Sequence, residues 1–139
     1  MWPFARKPAT QSADSNTADV GRRGEDLARR ELRKQGLKIL ARNYRCPAGE
    51  ADLIALDTST RKQSGAETIA FVEVKTRAGA GYAPPESAVN ADKQRRMRKV
   101  ANYYLASRKA DAFLTRFDIV AVVLRSGEEP QIKHIPNAF

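Results

Sequence analysis

Two acids and a lysine stand out as residues able to do chemistry together. In Ile69-Ala70-Phe71-Val72-Glu73-Val74-Lys75-Thr76, an apolar run rich in β-branched and aromatic residues is broken by one acid and one base two positions apart. The run reads as an inner strand, so Glu73 and Lys75 leave by one face while Val72 and Val74 leave by the other. Just upstream, Gly49-Glu50-Ala51-Asp52-Leu53-Ile54-Ala55-Leu56-Asp57 reads as a second strand, and the polar stretch Thr58 to Glu67 makes a long hairpin loop between them. If Asp57 faces Thr68, then Ile54 meets Phe71, Leu56 meets Ile69, and Asp52 falls directly opposite Glu73.

Opposed residues of an antiparallel pair share a face, with Cβ atoms about 4.5–5.5 Å apart. Two carboxylates that close repel unless a proton or a cation lies between them. With Lys75 on the same face, the three residues make an oxygen-donor site for a hard divalent ion, Mg²⁺ or Mn²⁺, with an ammonium beside it. The plainer reading is a Glu73–Lys75 ion pair that only satisfies itself, and the residues alone leave both open.

The elements that position these residues follow from periodicity. From about Ala18 to Gln35 the pattern is helical, with Val20, Gly24, Leu27, Ala28 and Leu32 on one side and Gly36 as the stop. Glu25 sits roughly 20° from Leu32 at 100° per residue, on the flank of the apolar stripe. It is placed either to reach over the sheet toward Asp52 and Glu73 or simply to favour the helix dipole. Gly21 and Gly24 each cost about 1 kcal/mol against alanine, which points to close approach by another backbone or a phosphate. Leu37 to Arg45 reads as a strand, Cys46-Pro47-Ala48-Gly49 as a turn, and Thr76 to Pro85 as a flexible segment suited to gripping substrate.

Asn90 caps a second helix to about Ser107, with Met97, Val100, Ala101, Tyr104 and Leu105 facing the core. Lys93 continues that stripe and either looks into the site or snorkels past the sheet edge. Gln94, Arg95, Arg98 and Lys99 form a face suited to a nucleic-acid backbone or to solvent, and Lys93 and Arg77, the latter just after Lys75, are further nucleic-acid-binding candidates. Arg116 to Leu124 reads as a further inner strand, and Gln131 to Ile135 as an edge strand. Asp118 reads as a local salt-bridge or capping residue outside the site, and nothing in the sequence offers His134 a partner.

With 25 Lys and Arg against 16 Asp and Glu, the 139-residue chain carries a formal charge of +9 and a pI near 10.1. That favours a polyanionic partner such as nucleic acid. One cysteine, Cys46, and one histidine, His134, exclude a disulfide framework and a Cys/His zinc site, so any metal must be held by oxygens. No apolar run approaches the roughly 20 residues of a membrane span, and Met1 to Pro8 lacks the apolar core of a secretory signal, so a cytoplasmic location without membrane attachment is expected. Residues 1–18 read as a disordered tail and 19–139 as a single domain.

The two strand motifs, Gly49-Glu50-Ala51-Asp52-Leu53-Ile54-Ala55 and Phe71-Val72-Glu73-Val74-Lys75-Thr76-Arg77, closely resemble the YraN family of uncharacterised bacterial proteins over about Ala18 to Leu124. That family is in turn similar to the restriction-endonuclease-like PD-(D/E)xK nucleases, including the archaeal Holliday-junction resolvases. The resemblance implies an α/β fold with a restriction-endonuclease-like core, a mixed central sheet flanked by helices. It implies that Asp52 is the metal-binding aspartate, Glu73 the second carboxylate ligand, and Lys75 the lysine that orients or activates the attacking water. Glu25 would match the acid that many of these nucleases carry on their first helix. Ala51 departs from the pattern, standing where the motif's name has proline. A homodimer is implied by the resolvases alone.

The expected function is a metal-dependent nuclease acting on nucleic acid, DNA in the first instance and branched or single-stranded forms among its substrates. Two alternatives stay in view. One is a non-catalytic nucleic-acid-binding module on a nuclease fold. The other is an interaction protein whose Glu73–Lys75 pair is structural.

Overall fold

The computed structural model describes residues 9–79, 89–110 and 112–139, with side chains from residue 17 onward. The chain runs α1 (Ala9–Lys34), β1 (Lys38–Cys46), β2 (Gly49–Asp57), a 3-10 turn (Thr58–Thr60), α2 (Arg61–Ser64), β3 (Thr68–Ala78), α3 (Ala91–Ser107), β4 (Leu114–Leu124) and β5 (Gln131–Ile135). The expected order of helices and strands holds. Two short helical turns, the 3-10 turn and α2, occupy the loop between β2 and β3, because Asp57 caps the turn by accepting from Ser59 N and Gly65 ends α2 in the left-handed region.

Helix α1 begins at Ala9, earlier than the Ala18 start that the apolar stripe suggests. Helical backbone continues past the stripe because Ala9 to Asn16 contains no proline or glycine to interrupt it. Residues 1–8 of the expected tail lie outside the described residues, as does most of the expected Thr76 to Pro85 loop. Thr76 and Arg77 themselves belong to β3, paired with Val122 and Val123.

The five strands form one sheet in the order β1-β2-β3-β4-β5. Its hairpins, β1–β2, β2–β3 and β4–β5, are antiparallel, and β3–β4 is parallel. A parallel pair needs a crossover, and α3 lies on that connection. α1 covers one face, where Ala28 and Leu32 pack with Leu53, Ala55, Ala70, Val72 and Val120. α3 covers the other, where Met97, Val100, Ala101 and Tyr104 pack on Ile54, Ile69, Phe71 and Phe117. Burial on both faces explains why β3 and β4 read as nearly unbroken apolar runs. The result is an α/β fold with a mixed central sheet between helices, consistent with a restriction-endonuclease-like core.

Gly24 explains how α1 comes so close to β3. A Cβ at that position would overlap the Thr76 hydroxyl and lie 2.8 Å from Thr76 Cγ2 and 2.9 Å from its Cβ. Close approach is found at Gly24, but to the Thr76 side chain and not to the backbone or phosphate expected, whereas among the described residues Gly21 has nothing within 4 Å of its own Cβ position.

A buried polar cluster closes the opposite end of the sheet. Asp118 is 0% exposed and accepts from Arg116 Nε at 2.8 Å, Arg116 Nη2 at 3.0 Å, His134 Nε2 at 2.8 Å and Asn137 N at 3.0 Å. Arg116 Nη1 also donates to Asp57 Oδ2 at 2.8 Å, and His134 Nδ1 lies 2.8 Å from Gln35 Oε1. Asp118 is a local salt-bridge residue as expected. His134 has the two partners, on β4 and just past α1, that the sequence does not disclose.

Candidate active site

Asp57↔Thr68, Leu56↔Ile69, Ile54↔Phe71 and Leu53↔Val72 pair in the register read from the sequence. The ladder ends there, one residue short of the expected Asp52–Glu73 pair. On the other side, β1–β2 pairing runs Arg42↔Leu53 and then Tyr44↔Ala51, passing over Asp52. Asn43, which would face it, has φ 49°, a left-handed conformation that asparagine tolerates better than most residues. Backbone pairing of β2 with β3 therefore stops at Asp52, and a period-2 pattern gives no sign of that stop.

Where that pairing stops, the Asp52 side chain takes over a ladder position, Oδ2 accepting from Val74 N at 2.8 Å. Glu73 is 6% exposed, and its Oε2 lies 3.4 Å from Lys75 Nζ and 3.2 Å from Lys93 Nζ. Lys93 therefore looks into the site from the first turn of α3, whose N-terminus Asn90 caps by accepting from Lys93 N at 2.9 Å. Burial raises Asp52 first, the Glu73 charge raises it further, and Glu25 adds to both. The Val74 N–H and Lys93 pull the other way, leaving Asp52 pushed up from 3.8 to about 7. Beside Glu73, the Asp52 carboxyl therefore favours a proton or a nearby cation near neutral pH.

Glu25 reaches the same neighbourhood from α1. Its carboxyl is raised by burial first and by the Asp26 and Glu50 charges, against the opposing pull of Arg42 and a hydrogen bond from Asn43. Glu25, Gly21 and Val20 of α1 and Lys75, Thr76 and Arg77 of β3 line one cavity of about 260 Å³. Arg77 Nη1 donates to Thr76 O at 3.3 Å.

The remaining expected nucleic-acid residues lie along α3. Gln94 Nε2 donates to Val89 O at 3.1 Å, and Arg95 pairs with Asp92 on the exposed side. The Arg98 guanidinium lies over Phe117 and Phe139, 5.1 and 5.7 Å from the ring centroids, and Lys99 is exposed. Sequence reasoning passed over Asn43. Its proximity to a turn and its tolerance of positive φ were the available signals.

Among the described residues no three His, Cys, Asp or Glu side chains close into a metal cage. Asp52 and Glu73 nonetheless fit a hard cation of the Mg²⁺ kind, which keeps several waters and commonly takes only one or two carboxylates from protein, with substrate phosphate completing the shell. Their mutual repulsion is the charge such an ion neutralises. Among the described residues no helix is long and apolar enough to cross a membrane.

The profile of the "Uncharacterised protein family UPF0102" matches residues 24–122, a span that holds Glu25, Asp52, Glu73, Lys75 and Lys93. Similar proteins include the UPF0102 protein of Syntrophotalea carbinolica, 45% identical over 120 residues covering 86% of this chain and 90% of that protein. The UPF0102 protein of Geobacter metallireducens is 44% identical over 120 residues, covering 86% and 91% of the two chains. That of Nocardia farcinica is 44% identical over 120 residues, covering 86% and 88%. With the profile spanning most of the domain and such relatives matched nearly end to end, the chain belongs to family UPF0102, the YraN family.

Proposed function

We propose that this protein is a metal-dependent nuclease that hydrolyses phosphodiester bonds of nucleic acid, DNA first among its substrates. The observation that carries the reading is the end of the β2–β3 backbone ladder, where the Asp52 side chain bonds Val74 N. There Asp52, raised to about 7 by burial and by Glu73, stands with Glu73 and two ammonium groups. Asp52 and Glu73 would hold Mg²⁺ or Mn²⁺. When bound, the cation supplies a Lewis acid for a phosphate oxygen and a more acidic water.

The chain's own residues do the rest. Lys75 orients the attacking water or offsets negative charge growing on the phosphate, a role suited to a fixed ammonium in a recessed site. Lys93 fixes the Glu73 carboxylate by a second contact, at 3.2 Å. The Val74 N–H fixes the Asp52 carboxylate and leaves Oδ1 free for other partners. The net charge of +9 favours the polyanionic substrate.

A second reading, a binding module without turnover, is favoured by one observation: Glu73 Oε2 already has two ammonium partners. Cleavage of labelled single-stranded, duplex, flapped and four-way-junction DNA with Mg²⁺ or Mn²⁺, wild type beside Asp52→Ala, separates the two. Cutting by wild type and loss of at least about 10²-fold in the variant is expected, in the range of a lost major transition-state contact. Binding of DNA by both proteins without cutting by either refutes the nuclease and leaves the binding module.

A further inference from the structure

Away from the candidate acids, α1 and β1 flank a second, open cavity of about 530 Å³, whose lining includes Arg29, Arg33, Lys38 and Arg42. The sequence folds to gather these cations. Arg29 and Arg33 are one turn apart on α1 and so share a face. Gly36, at φ 97°, reverses the chain, with Leu37 N donating to Leu32 O at 3.0 Å. β1 then returns beside the helix and adds Lys38 and Arg42 from the sheet edge.

Among the described residues no acid lines this cavity. The acid nearest in sequence to Arg29 on its own helix face is Asp26, whose Oδ1 stands 3.7 Å from Arg29 Nη2, beyond hydrogen-bond length. The Arg29 side chain is 20% exposed. Its Nε is the one fully buried side-chain polar atom without a hydrogen-bond partner among the described residues. Asp26 is an ion-pair partner for this guanidinium, yet the buried Nε stays unsatisfied, a cost that a second anion in the cavity would relieve. Gly36, also on the wall, has nothing within 4 Å of its missing Cβ, which leaves room for a ligand.

We infer that this cavity is a phosphate site for the backbone of the bound nucleic acid, one that holds the strand beside the cutting position. The assignment deepens the function proposed above and rests on it for the kind of polyanion. The chemistry selects a phosphate because several guanidinium forks converge on one space, and such forks match phosphate oxygens bidentately. Position selects the substrate strand. Arg42, on edge strand β1, pairs with Leu53, the neighbour of Asp52 on β2, so the Arg42 end of the cavity lies one strand away from the candidate acids.

The test is binding rather than cutting. Fluorescein-labelled DNA is titrated by anisotropy in EDTA over a series of salt concentrations, with wild type, Arg33→Gln/Arg42→Gln and Arg61→Gln/Lys62→Gln. All four substituted residues are exposed, and the second pair, on α2, removes the same charge elsewhere. The cavity variant is expected to flatten the log-log salt slope by about 0.9 for each lost phosphate contact and to weaken binding roughly tenfold or more at moderate salt.

The α2 variant should keep the wild-type slope. Equal losses in both variants mean a diffuse charge effect and overturn the site. Inorganic phosphate supplies the second arm: if it raises the melting temperature of wild type but not of the cavity variant while DNA binding is the same in both, the site serves a free phosphate ligand and the strand assignment falls. Because no cleavage is read, absence of nuclease activity with a flattened slope leaves the phosphate site standing. Metal-dependent cutting with an unchanged slope removes the phosphate site alone.

Discussion

Replacing Asp52 by asparagine should make the metal-free protein more stable, and increasingly so as pH rises. The native carboxyl is raised to about 7 against an ordinary 3.8. Below about pH 4 native and unfolded chains both hold this proton, so the group contributes nothing. Between about pH 4 and 7 the native state keeps a proton that the unfolded chain has lost, and stability falls as pH rises, by up to about 1.4 kcal/mol per pH unit. Above about 7 the penalty is complete, at roughly 4 kcal/mol. From about pH 5 to about pH 8 the part still to be incurred is about 2–3 kcal/mol.

Asparagine has no such titration, and its carbonyl can still accept from Val74 N. Any constant effect of the substitution cancels when the variant is compared with wild type at two pH values. Urea unfolding of both proteins in EDTA, with m-values checked for constancy, should show the gap widening by about 2–3 kcal/mol from about pH 5 to about pH 8. Mg²⁺ added at the higher pH should narrow the gap by stabilising wild type alone. A gap that stays within about 0.5 kcal/mol across that range would falsify the account of two carboxylates held close in a dry cleft.

Two further substitutions test how the fold holds the site. Gly24→Ala drives a Cβ into Thr76, so unfolding measurements should show a loss of about 1–3 kcal/mol. Thr76→Ala in the same chain should recover much of it, and additive losses would show that the overlap is not the cause. Asp118→Ala strips Arg116 and His134 of their buried carboxylate, with an expected cost of about 3–5 kcal/mol. Wild-type Asp118 meets the upward push of burial, which hydrogen bonds from His134, Arg116 and Asn137 N outweigh, so its carboxyl lies below 3.8. Its contribution is therefore present above that value and lost as pH falls through the lowered one, so wild type should lose its advantage over Asp118→Ala in acid titration.

Much of the fold was legible because its signals are local. β5 was readable as Gln131 to Ile135 and α3 from its Asn90 cap, since alternation, stripe and cap each lie within one segment. The β2–β3 register was legible too, because Ile54, Leu56, Ile69 and Phe71 must share the face that α3 covers. The start of α1 was less visible, since residues before Ala18 propagate helix without an apolar stripe. His134 gave no sign of its partners because they lie on β4 and just past α1, far away in the chain.

By itself the sequence determined that Asp52, Glu73 and Lys75 belong to two adjacent strands, and that a basic chain with one cysteine and one histidine would have to hold any metal through oxygens. Those conclusions rest on composition and on a side-chain period of two, which need no knowledge of distant contacts. Only the tertiary structure decided that β2–β3 pairing stops at Asp52, that Val74 N–H takes its carboxylate, and that Lys93 reaches Glu73 from α3. It alone gathered Arg29, Arg33, Lys38 and Arg42 around one cavity. Each of these depends on how a ladder ends, a helix approaches or the chain reverses to join remote segments, and burial then turns the resulting proximity into a carboxyl that holds its proton near neutral pH.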